Sequence, residues 1–414
     1  MSFYKTRNVA SGDILSYYTS SYDYKTDISL LKRAINETTT RPRFRLHILN
    51  PDETVKQPIP SSDIISGGSY NENYQSGQRR SLSITLFNGD GRYTPSINGL
   101  WMGSKMSFEM GLELADGETI WFPKGVYIVS NINPSHSSGE QTVSVELSDK
   151  FALLEGTSGT LETSYSIPVG NDIREIIENI LGQSMGNGEM IDPKPIIYHS
   201  SFEGRKTQAT ISKETGDNYG SIITDLATQL NAEVFYDASG SLNFVPINDV
   251  TEDADKPIIF SFFAESGDIS NDSMTFNMSE VVNRVIVVGS TVNSEICKGV
   301  ALNDDISSPI CYQRIGYRTA SVINDTNITS SRLAQERAEY ELRSKSILQT
   351  TVSADIRLNP LLLVNNVVNI TDDFFGLENE GFLIQSISCP IDFSGSMSIS
   401  LSNLKNISFT TGIR

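Results

Sequence analysis

Gly125–Val145, GVYIVSNINPSHSSGEQTVSV, recurs as Gly381–Leu401, GFLIQSISCPIDFSGSMSISL, without a gap and at a constant offset of 256 residues. Seven of the 21 positions are identical: Gly125/Gly381, Ile128/Ile384, Ser130/Ser386, Pro134/Pro390, Ser138/Ser394, Gly139/Gly395 and Ser144/Ser400. In each copy apolar residues nearly alternate with polar ones up to a Pro-to-Gly loop, then alternate again, which is how a half-buried β-hairpin reads. Two copies predict two related β units in one chain.

The sequence just before each copy strengthens that reading. In Lys105–Leu114, Met106, Phe108, Met110, Leu112 and Leu114 alternate with Ser107, Glu109, Gly111 and Glu113, so one strand face is core and the other wet. Asp116-Gly117 supplies a tight turn, and Ile120–Phe122 begins the return strand. Val364–Thr371 holds the same place before the second copy. Strand patterns also cover Val281–Val288 and Thr350–Leu358, and a helix capped by Ser330 or Ser331 runs through Leu333, Ala334, Ala338 and Leu342 to about Ser346.

Between the β units the period changes. Ile173, Ile176, Ile177, Ile180 and Leu181 keep the spacing of a buried helical stripe opened by Asp172. A second helix is predicted over Asn218–Leu230, followed by the hairpin Ala232–Tyr236 and Ser241–Val245 around Asp237-Ala-Ser-Gly240. The fold class expected is therefore mainly β with an α+β insertion. The divisions are an N-terminal arm with a short helix (1–40), a first β-barrel domain (41–160), the α+β domain (161–254) and a second β-barrel domain with one long helix (255–414).

The chain has 414 residues, a formal net charge of −18 and a pI near 4.6. So acidic a balance argues against a phosphate-gripping surface, because nucleic-acid affinity comes from Lys and Arg releasing counterions. No signal peptide and no membrane-spanning segment is read, so synthesis in a cytosol is expected. Cys297, Cys311 and Cys389 form no C-x-x-C pair and read as buried reduced thiols.

Chemistry is sparse. His47, His136 and His199 lack metal spacing, and no Gly-rich phosphate loop ends in Lys-Ser or Lys-Thr. Asp304-Asp305 and Asp372-Asp373 read as turn acids, and Asn88-Gly89-Asp90-Gly91 as a β-turn lacking the later glutamate of a calcium loop. Trp101 and Trp121 fall in strand patterns expected to bury them. No catalytic residue, cofactor or metal is expected. The one unusual charge pattern is Arg41, Arg43, Arg45 and His47 alternating with Pro42, Phe44, Leu46 and Ile48. It is a candidate interface for an acidic partner or sister subunit, or else a solvated strand face paired with nearby acids.

Four passages together carry a family resemblance: Thr215–Ala227 with its Asp-Ala-Ser-Gly hairpin, Val282–Gly289, the helix Ala334–Leu342, and Asn359–Asn369 followed by Phe382–Ser388. In that order the chain resembles the baseplate hub or tail-tip hub proteins of bacteriophage tails and related contractile injection machines. The resemblance implies two tube-like β-barrels with α+β material between them, and a homotrimer that presents six barrels to a sixfold tail tube. It further implies an acidic lumen through which DNA passes without specific binding, with the tail tube protein, distal tail or baseplate ring proteins and a spike or fibre as partners, in a virion assembled in the host cytoplasm. The alternatives are a carbohydrate-binding or adhesive β protein and a cell-wall hydrolase.

Overall fold

A computed structural model describes residues 41–404 except 76, 97–99, 138, 231, 248–255, 293–294, 326–329, 346–347 and 393. The expected arm and short helix in 1–40 lie outside the described residues. The chain packs as two units, one made of 1–247, 356–365 and 385–399, the other of 248–355, 366–384 and 400–414.

The first unit begins with strands β1 (Arg41–Leu49), β2 (Val55–Ile59), β3 (Ile64–Asn73), β4 (Arg80–Phe87), β5 (Lys105–Glu113), β6 (Thr119–Ser137) and β7 (Glu140–Asp149). Neighbours run β3-β4-β7-β6-β5-β1-β2. The first repeat copy is the β6–β7 hairpin, as its alternation predicts. Tyr70 on β3 and Phe108 on β5 are both fully buried, with ring centroids 6.1 Å apart. Four strand spacings in a flat sheet would separate β3 from β5 by about 19 Å. The five strands therefore curl around a shared core.

The α+β material follows: β8 (Tyr165–Ile167), α1 (Ile173–Leu181), β9 (Ile197–Tyr198), β10 (Ile211–Lys213), α2 (Tyr219–Gln229), β11 (Ala232–Tyr236) and β12 (Leu242–Pro246). Asp172 caps α1 by accepting from the Glu175 N–H, and Asn218 caps α2 by accepting from the Ser221 N–H. The isoleucine stripe of α1 packs with Ile222, Ile223, Leu226, Val234 and Phe244 into one buried cluster.

The second unit contains β13 (Ile258–Phe263), β14 (Ile269–Phe276), β15 (Arg284–Val292), β16 (Glu295–Leu302), the single turn α3 (Tyr312–Ile315), β17 (Ile323–Asn324) and α4 (Ser331–Lys345). It takes most of β18 (Thr350–Arg357), β19 (Val367–Asp372), the first part of β20 (Leu377–Pro390) and the end of β21 (Ser396–Asn403). Ser330 caps α4, accepting from the Leu333 N–H, and Ala334 and Ala338 pack that helix on Val285 and Val287. Gly299 is required there, since a Cβ on it would stand 2.3 Å from the Ala334 carbonyl.

Strand order in this unit is β14-β18-β21-β20-β19, with β13 beside β19. It repeats β3-β4-β7-β6-β5 position for position. The equivalent glycines are paired in both: Gly125 pairs with Phe108 and Val126 with Ser107, while Gly381 pairs with Asn369 and Phe382 with Val368. Each repeat copy thus pairs antiparallel with the strand before it, but a bulge skips Lys124 in the first copy where its equivalent Glu380 pairs with Ile370 in the second. The Asp272 side chain on β14 hydrogen-bonds that of Asp372 on β19. These strands are also four places apart, so this ladder curls too.

Candidate functional site

The most developed chemistry lies where the first ladder meets the α+β segment, all within the first unit. Arg80 is in phase with Leu82, Ile84 and Leu86, so alternation drives its guanidinium into the core. There Nη1 donates to the Tyr236 carbonyl at 2.6 Å and Nη2 to the Glu72 carboxylate. Tyr70 OH donates to the other Glu72 oxygen at 2.9 Å. Arg79 pairs with Glu233 at 2.8 Å, lies 3.4 Å over the Phe235 ring, and donates to the Gln75 carbonyl. Two arginines thus tie the β3–β4 turn to β11.

A second cluster surrounds Lys150, which is 0 % exposed. Its Nζ meets Glu53, Asp192 at 2.7 Å and the Gly240 carbonyl at 2.8 Å. Glu53 also receives Lys194 at 3.0 Å and Lys105 at 3.5 Å. Burial alone raises the Glu53 carboxyl, but Lys150 and Lys194 outweigh it and hold its pKa below the ordinary value. Asp149, buried beside Arg80, shows the opposite balance: desolvation pushes it up to about 6. Lys124, 2 % exposed and donating to the Leu362 carbonyl at 2.9 Å, is pushed down to about 8 by burial. Apart from Lys194 these groups are buried, so the arrangement clamps segments of the first unit together.

Sequence reasoning passed over these residues, although part of the signal was present. Arg80 and Glu72 share the phase of buried apolar neighbours, and Lys124 interrupts the apolar run from Ile120 to Val129. Glu53 had no such signal. It sits in a turn at φ 65° and gathers cations from distant parts of the chain.

The arginine stripe lies on β1 as the alternation requires. Arg43 Nε donates to Glu113 at 2.7 Å, Arg41 approaches the same carboxylate at 3.8 Å, and Arg45 pairs with Glu109 while stacking 4.3 Å over Trp121. The acids come from β5, the antiparallel neighbour. His47 faces Ser107, and burial, offset in part by Glu109, lowers its pKa. His136 and His199 lie elsewhere, and no group of three metal-capable side chains occurs among the described residues.

Asp305 and Asp372 are turn acids, accepting from the Ser307 and Phe374 N–H groups. Asp372 does more than a turn needs. With Asp272 it forms a carboxyl pair in which desolvation first, then Asp372, push the Asp272 pKa up to about 6. The three cysteines are free and buried, as expected. Trp101 corrects its expectation. It lies outside any strand and is 47 % exposed, because Gly103 at φ 76° turns the chain out of the alternating pattern. No helix among the described residues is long and apolar enough to cross a membrane.

No family model and no curated protein sequence matches the chain. Solved structures do. The prophage MuSo2 43 kDa tail protein from Shewanella oneidensis is 16 % identical, with a TM-score of 0.55 over 88 % of this chain and 98 % of that one. The tail protein from Neisseria meningitidis MC58 is 11 % identical, with a TM-score of 0.54 over 87 % and 96 %. A chain of the half-lidded PdpA-VgrG complex of Francisella is 12 % identical, with a TM-score of 0.54 over 96 % of this chain and 64 % of its own. At such identities the likeness establishes the fold: mainly β, and that of phage tail proteins.

Proposed function

We propose that this chain is a structural hub of a phage-type tail. It forms a homotrimer whose six barrels adapt a sixfold tail tube to a threefold tip. In this reading each five-stranded ladder is the wall of one tube-like barrel, and 161–254 is the insert that spaces them. DNA passes through an acidic lumen unheld, and the tube protein, ring proteins and a spike or fibre are the neighbours. The work is mechanical and needs no catalytic group.

The observation that carries the reading is the doubled ladder, in which one strand order occurs twice in a single chain. Three chains so built present six similar walls. The sealed ion clusters support it, since a part under load needs its segments locked. Arg41, Arg43 and Arg45 are the proposed side-chain contacts with a neighbouring subunit.

Native mass spectrometry of the purified protein, with particle images after coexpression with a tube protein, tests this. Trimers and rings on tube ends are expected. Monomers alone at micromolar concentration, with no rings, reject it. Release of labelled peptidoglycan, lost on changing one acid, would replace the reading with the hydrolase alternative.

A further inference from the structure

The Lys150 cluster contains one atom that an ion pair does not explain. Asp192 is 3 % exposed, and its Oδ1 accepts from Lys150 Nζ at 2.7 Å and from the Lys194 N–H at 2.9 Å. Its Oδ2 is also buried, yet accepts no hydrogen bond among the described residues. The Tyr236 hydroxyl stands beside this carboxyl and has no well-formed hydrogen bond either. Buried polar atoms are nearly always paired, and an unpaired carboxylate oxygen is costly because its charge has lost its water. A salt bridge satisfies one oxygen here and strands the other.

The same atoms are arranged for condensation. Lys150 Nζ, wholly enclosed, touches two carboxylates, Asp192 and Glu53, together with the Gly240 carbonyl at 2.8 Å. In such a site the pair gains little by staying charged, since the loss of water from both ions offsets their attraction. Groups held in contact also react as though highly concentrated, with effective molarities of about 10⁵–10⁸ M when well oriented. That proximity, with the released water lost to bulk solvent, drives an amide bond that free amine and acid do not form in dilute solution.

We propose that Lys150 Nζ and Asp192 Cγ join in an intramolecular amide formed by the folded chain itself, with Glu53 carrying the proton. The Glu53 carboxylate takes a proton from the Lys150 ammonium, and the freed lone pair attacks Asp192 Cγ. Negative charge building on Oδ1 is held by the Lys194 N–H. The tetrahedral carbon then expels Oδ2, which leaves as water with the proton returned by Glu53 and a second one from the nitrogen. Ammonium plus carboxylate become amide plus one water, with no oxidant and no change in net charge. The atom that departs is the one without a partner. Glu53 ends ionised and still paired with Lys194 at 3.0 Å and Lys105 at 3.5 Å, so no charge is stranded. The bond joins residues 42 apart and staples the end of β7 to the segment after α1. It does not depend on the hub reading, although a part under load gains from a staple that force cannot unzip.

The test weighs the purified full-length chain, incubated at neutral pH and then denatured, by intact mass spectrometry, and maps its tryptic peptides. A mass one water below that of the sequence is expected, with a branched peptide in which Lys150 is uncut and joined to Asp192. Cyclisation at Asp90-Gly91 or Asp116-Gly117 would also remove a water, so water loss without that branch overturns the proposal, as does the full sequence mass. Lys150→Met should keep its full mass whether or not it folds; a water lost there overturns the proposal too. Glu53→Gln should slow formation of the branch by about 100-fold or more, the usual effect of removing a general base. An unchanged rate removes Glu53 from the proton path. If that variant does not fold, the branch in the unaltered chain still decides whether the bond exists.

Discussion

Replacing Lys150 by methionine removes the cation from the most enclosed ion cluster and keeps its apolar volume. Lys150 is 0 % exposed and is the only lysine or arginine that ion-pairs with Asp192 among the described residues, whereas Glu53 retains Lys105 and Lys194. Deleting one partner of a buried pair costs about 3–5 kcal/mol, because the remaining charge is stranded. With a urea m-value of about 3 kcal/mol/M, the midpoint should fall by roughly 1–1.7 M. Both tryptophans, Trp101 and Trp121, lie in the first unit, so intrinsic fluorescence reports that unit's unfolding. In an Asp192→Asn background no charge is stranded, and the cost of Lys150→Met should drop by about 2 kcal/mol, a coupling ordinary for groups in contact. A midpoint shift under about 0.5 M, or the same cost in both backgrounds, would refute the clamp.

Lys124→Met should stabilise the first unit at pH 7. A lysine pKa held near 8 rather than 10.5 penalises the charged fold by about 3 kcal/mol below pH 8, a penalty that fades as pH rises towards 10.5. The gain, less about 1 kcal/mol for the lost bond to the Leu362 carbonyl, is read as a higher urea midpoint at pH 7, shrinking by pH 10. Asp272 carries the opposite sign. An acid with a raised pKa stabilises fully below its unfolded pKa near 4 and loses that contribution as pH rises to about 6, so Asp272→Asn should be relatively more stable at pH 7 than at pH 4 by calorimetry. Gly68→Ala places a Cβ 2.2 Å from the Ser83 carbonyl at φ 110°, and should cost at least about 2 kcal/mol of stability through strain alone, read as a lower urea midpoint. Serine at Arg41, Arg43 and Arg45 together should cost under about 1 kcal/mol per exposed pair in folding yet weaken trimers in native mass spectrometry; unchanged assembly removes the stripe from the interface.

Most of the fold was legible because periodicity is a backbone property. Strand alternation in β5 and β18, the isoleucine stripe of α1 opened by Asp172, and Ser330, one of the two serines offered as the cap of α4, all survive as read. What escaped has two physical origins. Trp101 was misplaced because alternation says nothing of a turn made by a single positive-φ glycine. The Lys150 cluster escaped because its members come from a turn, two strand ends and the α+β segment, and apart from Asp192 and Lys194 no two of them are near in sequence. The arginine stripe was visible as a stripe, but the acids it meets became known only from the β1–β5 register.

The repeat holds a further lesson in where its copies differ. Gly125 needs glycine, since its φ is 139° and a Cβ would stand 2.9 Å from the Tyr127 ring; Gly381 has no such demand, its nearest neighbours lying 3.6 Å away. Identity at that position therefore reflects shared register more than shared constraint. Past Ile128 and Ile384 the copies diverge in a consistent direction: Asn131 and Asn133 are exposed where Ile387 and Cys389 are 2 % and 1 % exposed. The apolar copy finishes against β3 of its own chain, and burial of its side chains accompanies the main-chain pairing. The polar copy, bulged at Ser130, lacks that apolar surface. A segment paired within its own chain buries isoleucine and cysteine, whereas one that faces water carries asparagine and serine. The divergence thus follows which copy has a strand of its own chain beside it among the described residues.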